Sequence, residues 1–211
     1  MVRLDHISYA AGPDGLAAAV QRLGSALGAA FTDGGMHPRF GTRNFVLPLS
    51  GGVYLEVVGA LDHPASDKAP FGQAVKQRTE SGGGWLAWVV AVDDIAPVER
   101  RLGRESVVGS RRRPDGVELL WRQVGVLDVL DDPALPFFVE WQCPPADHPA
   151  SGGAATLSID HVEISGDPDH VAAWLGGPLE PAEIDVEWVR DDRAGVVAVQ
   201  FATANGIVRI E

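Results

Sequence analysis

Leu4-Asp5-His6-Ile7 opens one apolar run, and Tyr54-Leu55-Glu56-Val57-Val58 forms a later one. Ile159-Asp160-His161-Val162 and Val208-Arg209-Ile210-Glu211 repeat the arrangement, and in both cases 50 positions separate His from Glu. The constant spacing indicates a duplicated unit that presents a His and a Glu to one face of a sheet. Imidazole nitrogen and carboxylate oxygen are ligands of borderline divalent metals; the same pair can also move protons.

Working outward from these runs, the chain divides into three similar passages. The first opens with a strand at Arg3–Ala10, turns at Gly12-Pro13-Asp14-Gly15 and continues in a helix over Leu16–Leu27, where Leu16, Val20, Leu23 and Leu27 recur at helical steps. A Gly-rich loop at Gly34-Gly35 precedes strands over Thr42–Leu49 and Val53–Gly59. The second passage has a strand at Trp85–Val92, a helix from Ile95 to Leu102, and strands at Ser106–Arg112, Val117–Val124 and Phe137–Gln142. The third runs Ala155–Ile164, a short helix started by Asp167-Pro168-Asp169, then Ile184–Arg190, Val196–Thr203 and Gly206–Glu211. The expected fold class is α+β. Repeated βαβββ units pair to form a cupped mixed sheet with a central cleft. Residues 1–143 make the cleft domain and 144–154 a linker. Residues 155–211 form a third unit beside the domain or between copies of the chain, a homodimer being one outcome.

The second passage lacks one element of the pattern. Counting back from Asp93 puts Ala87 where a His would recur, and Glu140 follows 53 residues later. Period-two alternation groups Leu4, His6 and Ser8 on one face, and likewise Tyr54, Glu56 and Val58, and Phe138, Glu140 and Gln142.

The 211 residues carry a net charge of −12, which argues against nucleic acid as a partner because phosphate binding needs a basic face. No apolar run approaches the roughly 18 residues of a membrane span, and the single cysteine, Cys143, excludes an internal disulfide and fits a cytoplasmic location. Arg111-Arg112-Arg113 before Pro114-Asp115-Gly116 reads as a solvated hairpin tip, or else as an anion clamp at a pocket mouth. His63, His148 and His170 read as surface residues. No nucleotide-binding glycine motif is present.

The βαβββ repeat with His on its first strand and Glu on its last resembles the vicinal oxygen chelate superfamily, and more narrowly its glyoxalase-like domain family. The matching residues are Leu4-Asp5-His6-Ile7, the string Gly34-Gly35-Met36-His37-Pro38-Arg39-Phe40-Gly41-Thr42-Arg43-Asn44, Tyr54 to Val58, and Leu135 to Trp141. The resemblance implies a divalent metal (Zn, Ni, Mn or Fe) held by His6, Glu56 and Glu140. The metal would polarise a carbonyl- or diol-containing small molecule in isomerase, lyase or dioxygenase chemistry. Ala87 vacates the fourth ligand place. His37 fills it only if its loop folds over the cleft; alternatively the first and third units pair through His6, Glu56, His161 and Glu211.

Glu140, among Phe137, Phe138 and Trp141, is a candidate general base as well as a ligand. His37, Arg39, Thr42 and Asn44 are candidate substrate contacts, His37 with a catalytic role; the plainer reading is a turn and an ordinary strand. Three functional readings remain: a metal-assisted enzyme, a non-catalytic small-molecule binding or sequestering protein of the same fold, and a metal-free acid–base enzyme using the same residues.

Overall fold

A computed structural model describes residues 2–151, 156–177 and 185–211. The end of the expected linker, the first residue of the third unit (155) and residue 184 of an expected strand lie outside the described residues.

The first two passages fold into eight strands: β1 (Val2–Ala10), β2 (Thr32–His37), β3 (Thr42–Pro48), β4 (Tyr54–Ala60), β5 (Gly84–Val92), β6 (Val107–Arg112), β7 (Glu118–Val124) and β8 (Phe137–Trp141). They close into a barrel in the order β1-β4-β3-β2-β6-β7-β8-β5. Each half has the same internal order, its first strand parallel to its last (β1 with β4, β5 with β8). An antiparallel β1–β5 pairing joins the halves on one side, and a short contact between Met36 and Arg112 joins them on the other. The expected cup is therefore present and closed on itself.

Two cores explain why β4 and β5 are apolar at nearly every position. A strand buried on both faces does not alternate. Val58, Ala87, Val89, Trp121, Phe137 and Val139 point into the barrel. Ile7, Leu55, Trp88, Val90 and Phe138 point out into an outer core to which helix α1 (Leu16–Leu27), packed on β4, contributes Leu23 and Leu27. Full burial of Phe138 alone contributes about 1.5–3 kcal/mol. Helices α2 (Pro64–Lys68) and α3 (Pro70–Glu80) follow β4, and α3 inserts Phe71 and Val75 into the inner core. Helices α4 (Ala96–Leu102) and α5 (Val126–Asp131) complete the second half. At six residues α5 is too short to leave a helical periodicity in the sequence.

The third passage gives β9 (Ser158–Ser165), α6 (Pro168–Leu175), β10 (Asp185–Val189), β11 (Gly195–Thr203) and β12 (Gly206–Ile210). Its element order is again βαβββ, but its sheet order, β10-β9-β11-β12, differs from that of the barrel halves. Here the first strand pairs with the second and third, not with the last. This sheet covers the outer face of β5. Trp85 stacks on Phe201 at 6.4 Å and its Nε1–H donates to the Ile210 carbonyl at 3.1 Å.

Two local departures from the sequence reading matter for the cavity. The Gly34-Gly35 stretch is strand, not loop. Gly35 adopts φ 103° beside a register shift, and a Cβ there would stand 1.9 Å from the Arg112 carbonyl oxygen, so only glycine lets β2 approach β6. In β1 the pairing with β5 shifts between Leu4 and His6. Leu4 therefore joins Ile7 in the outer core instead of sharing a face with His6 and Ser8, and Asp5 is left free to turn its carboxylate toward the barrel rim.

Candidate functional site

The barrel encloses a small cavity of about 30 Å³. His6, Tyr54, Glu56, Asn44, His37 and Arg111 supply its polar wall, and Phe40, Phe71, Trp121 and Phe137 its apolar wall. The parallel β1–β4 register sets Ser8 opposite Glu56 and His6 opposite Tyr54, so alternate residues of both strands face inward together. His6 stacks on Tyr54, ring centroids 4.4 Å apart.

Asp5 determines the state of His6. Its Oδ2 accepts from His6 Nδ1 at 2.6 Å, and its Oδ1 accepts from Trp141 Nε1 at 3.0 Å and from His148 Nε2 at 3.1 Å. Burial alone raises the Asp5 pKa, but the hydrogen bonds from His148 and His6 outweigh it and hold the carboxyl well below the usual carboxylate range. An ionised carboxylate only accepts. His6 Nδ1 therefore carries the proton, and Nε2 faces the cavity.

Glu56 lies across from that nitrogen, Oε2 to His6 Nε2 3.9 Å. Its Oε2 also accepts from the Ser8 hydroxyl, and its Oε1 from Asn44 Nδ2 at 2.7 Å. Burial pushes the Glu56 pKa up, yet His6 and His37, then the hydrogen bonds from Ser8 and Asn44, bring it below the ordinary value. The His37 ring shares a 2.8 Å hydrogen bond with Thr42 Oγ1. Burial, opposed in part by Glu56, holds its pKa down to about 4, so His37 is neutral at physiological pH.

The structure thus brings His6, Glu56, His37 and Asn44 to one cavity, with Thr42 behind His37. It does not bring Glu140 there. In β8 the inward residues are Phe137, Val139 and Trp141, so Glu140 shares the opposite face with Phe138. Its Oε2 accepts from the Ile95 backbone N–H at 2.9 Å, at the start of α4, with Arg122 nearby. The period-two reading of that strand was right in step; the error was to take the face of Phe138 as the inward one. Arg39 is exposed in the β2–β3 turn and does not line the cavity. His161 faces Glu163 and Glu187 on the separate sheet, and Glu211 pairs with Arg209, so the third unit contributes no side chain to the cavity lining.

Sequence reasoning missed His148 and left Arg111 between two readings. His148, expected at the surface, is half-buried against Asp5 through a turn whose return to the barrel no local pattern announces. Arg111 lies inside the barrel, so of its two readings, solvated hairpin tip and anion clamp at a pocket mouth, the first does not hold for this residue. The signal was available: β6 sets Arg111 opposite Leu119, an inward apolar position of β7.

The donor set does not fit the divalent metal that the superfamily resemblance implies. Of His6, Glu56 and Glu140 only two converge, Ala87 offers no donor, and both Glu56 oxygens already accept hydrogen bonds. Among the described residues no three His, Cys, Asp or Glu side chains group to hold a metal ion. The further ionic group at the cavity is a guanidinium, which repels a cation.

The family profile described as "Glyoxalase-like domain" matches residues 4–179. Among solved structures, a hypothetical protein from Staphylococcus aureus is similar over 100% of this chain and 86% of its own, at 17% identity and TM-score 0.60. Methylmalonyl-CoA epimerase from Mycobacterium tuberculosis is similar over 67% of this chain and 89% of its own, at 16% identity and TM-score 0.45. No match to a curated protein was found. The profile match spans most of the chain, including the paired units and the cavity they enclose. The chain belongs to the glyoxalase-like domain family of the vicinal oxygen chelate superfamily.

Proposed function

We propose that the protein is an enzyme that moves a proton on a small carbonyl- or diol-containing molecule, by isomerase- or lyase-type chemistry carried out by its own side chains. The observation that carries this reading is the Asp5–His6–Glu56 arrangement inside the barrel. Two proton acceptors, His6 Nε2 and Glu56 Oε2, lie 3.9 Å apart at the cavity, the latter already accepting from the Ser8 hydroxyl. A substrate can present an acidic C–H or O–H to both from the cavity side.

His6 Nε2 takes the proton. The imidazolium that forms lies between the Asp5 and Glu56 carboxylates, where a pair of charges about 4 Å apart is worth roughly 4 kcal/mol at an effective dielectric of 20. The electron pair left behind passes to the carbonyl oxygen, giving an enolate. His37, neutral and anchored on Thr42, offers a hydrogen bond to that oxygen without surrendering a proton outright. Return of the proton from His6 to a different face or a different atom completes an isomerisation. The aromatic wall of Phe40, Phe71, Trp121 and Phe137 keeps bulk water from the enolate.

The test is hydrogen–deuterium exchange in D2O, followed by proton NMR, on a panel of small 2-oxo and 2-hydroxy carbonyl compounds. The native protein accelerates exchange for at least one of them, and His6→Ala and Glu56→Gln lower that rate by about 10²–10⁴-fold. Rates equal to wild type in both folded variants, or no exchange with any compound, reject the proposal.

A further inference from the structure

Arg111 is buried to 4% exposure in the barrel wall and lines the same cavity as His6, His37 and Glu56. Its Nε has no hydrogen-bond partner, and no carboxylate of the described residues lies within ion-pairing distance of its guanidinium. Burial pulls its pKa down, partly offset by the Tyr54 phenol and Glu56, but a guanidinium does not give up its proton in proteins. Native proteins rarely leave such a charge buried without a counter-ion. Every other buried ionic group at this cavity has hydrogen-bond partners: Asp5 has three and Glu56 two.

Arg111 shares the cavity lining with a second unsatisfied polar group. Asn44 Oδ1, the other orphaned polar atom at the cavity, is held beside it across Gly34. A Cβ on Gly34 would stand 2.1 Å from Asn44 Oδ1 and 3.1 Å from Arg111 Nη1, so only glycine there lets the Asn44 amide and the guanidinium pack against β2 side by side. The cavity therefore offers a planar donor fork, an orphaned acceptor, and the His6–Glu56 acceptor pair.

We propose that Arg111 is the receptor for an anionic group of the substrate, which is a small monocarboxylate bearing an acidic C–H or a hydroxyl on the carbon next to the carboxylate. This rests on the reading of His6 and Glu56 as the proton-transfer pair. A guanidinium fork matches the two oxygens of a carboxylate, and the ion pair satisfies the buried charge. The adjacent carbon then turns its hydrogen or hydroxyl toward the acceptor pair, and a hydroxyl has Asn44 Oδ1 as an additional partner. A dianion is disfavoured because Arg111 is one charge and Glu56 is already ionised. The limited volume excludes a bulky acyl group unless the aromatic wall moves.

Glycolate and its neutral counterpart glycolamide separate charge from shape. In calorimetric titrations of chelator-treated protein, glycolate binds at least tenfold more tightly than glycolamide, and Arg111→Gln removes the preference while Arg111→Lys keeps part of it. Equal binding of the two probes, a glycolate preference that survives Arg111→Gln, or no glycolate binding below about 10 mM overturns the proposal. Should Arg111→Gln not fold, the Nε–H resonance of Arg111 in the native protein decides: it shifts with glycolate and not with glycolamide, and an unmoved signal overturns the assignment. Glu56→Gln distinguishes this inference from the one it rests on. The variant keeps or tightens glycolate binding, because a like charge is gone, while proton exchange is lost. Exchange undiminished in Glu56→Gln, with glycolate binding still dependent on Arg111, rejects the proton-transfer pair and leaves the anion receptor.

Discussion

Asp5 Oδ2 stands 2.6 Å from His6 Nδ1, and this contact between chain neighbours determines which nitrogen of His6 faces Glu56. Adjacent strand residues normally point to opposite faces. The register shift in β1 between Leu4 and His6 lets the two side chains meet at the barrel rim. Asp5→Asn keeps an acceptor for Nδ1–H but removes the charge that stabilises the imidazolium. Turnover is expected to fall by about 10²-fold or more with KM little changed. A wild-type rate in Asp5→Asn contradicts the role assigned to Asp5.

His37 makes stability depend on pH in a defined window. Its folded pKa of about 4 lies below the unfolded value of 6.5, so between these limits the unfolded chain binds more protons than the folded one. Stability is therefore fully present above about pH 6.5 and falls as the pH drops toward 4, by up to about 1.4 kcal/mol per pH unit. Asp5 and Glu56, whose pKa values are depressed, act lower: their contribution is present above the unfolded carboxylate values near pH 4 and is lost as the pH falls through their folded ones. Urea unfolding of His37→Gln across the upper window is expected to show a flatter profile than wild type; an identical slope contradicts the assignment to His37.

Glu140 accepts from the backbone at the start of α4 and lies outside the cavity lining. Removing a carboxylate that accepts from a backbone N–H at a helix start costs about 0.5–2 kcal/mol. Glu140→Ala is expected to lower stability by that amount in thermal unfolding while exchange activity stays within twofold of wild type. A large loss of activity in the folded variant would place Glu140 in the chemistry.

Gly34→Ala tests the close packing of Asn44 and Arg111 against β2. The added methyl meets Asn44 Oδ1 at 2.1 Å, too close for both to stay. Overpacking of this kind costs about 1–3 kcal/mol. Displacement of the Asn44 amide also removes one of the hydrogen bonds that Glu56 accepts. Loss of activity beyond the loss of folded fraction is the expected result, measured on protein kept well below its melting temperature.

The paired βαβββ units were legible in the sequence because long apolar runs bounded by glycine turns record burial directly. His6 and Glu56 were legible as polar residues set among apolar neighbours, and His37 and Asn44 as members of a polar cluster behind two glycines. Which face of a strand turns inward was harder to read. Leu4 and Glu140 were both assigned to the wrong face, one through a register shift that adds a residue, the other because β8 is apolar on both sides and its alternation carries no phase. Arg111 was obscured by its company: Arg112 is exposed and Arg113 pairs with Asp115 and Asp147, and three arginines before a turn look alike until the β6–β7 register separates them. His148 depends on a contact made 143 residues away in sequence, beyond the reach of any local pattern.

The central claim is that protein side chains, not a chelated cation, move the proton. Its most direct measurement is the deuterium-exchange rate after exhaustive chelation. The account predicts that the chelated protein keeps its full rate and that Glu56→Gln loses it. A rate that disappears on chelation and returns on adding zinc, nickel, manganese or iron contradicts the account.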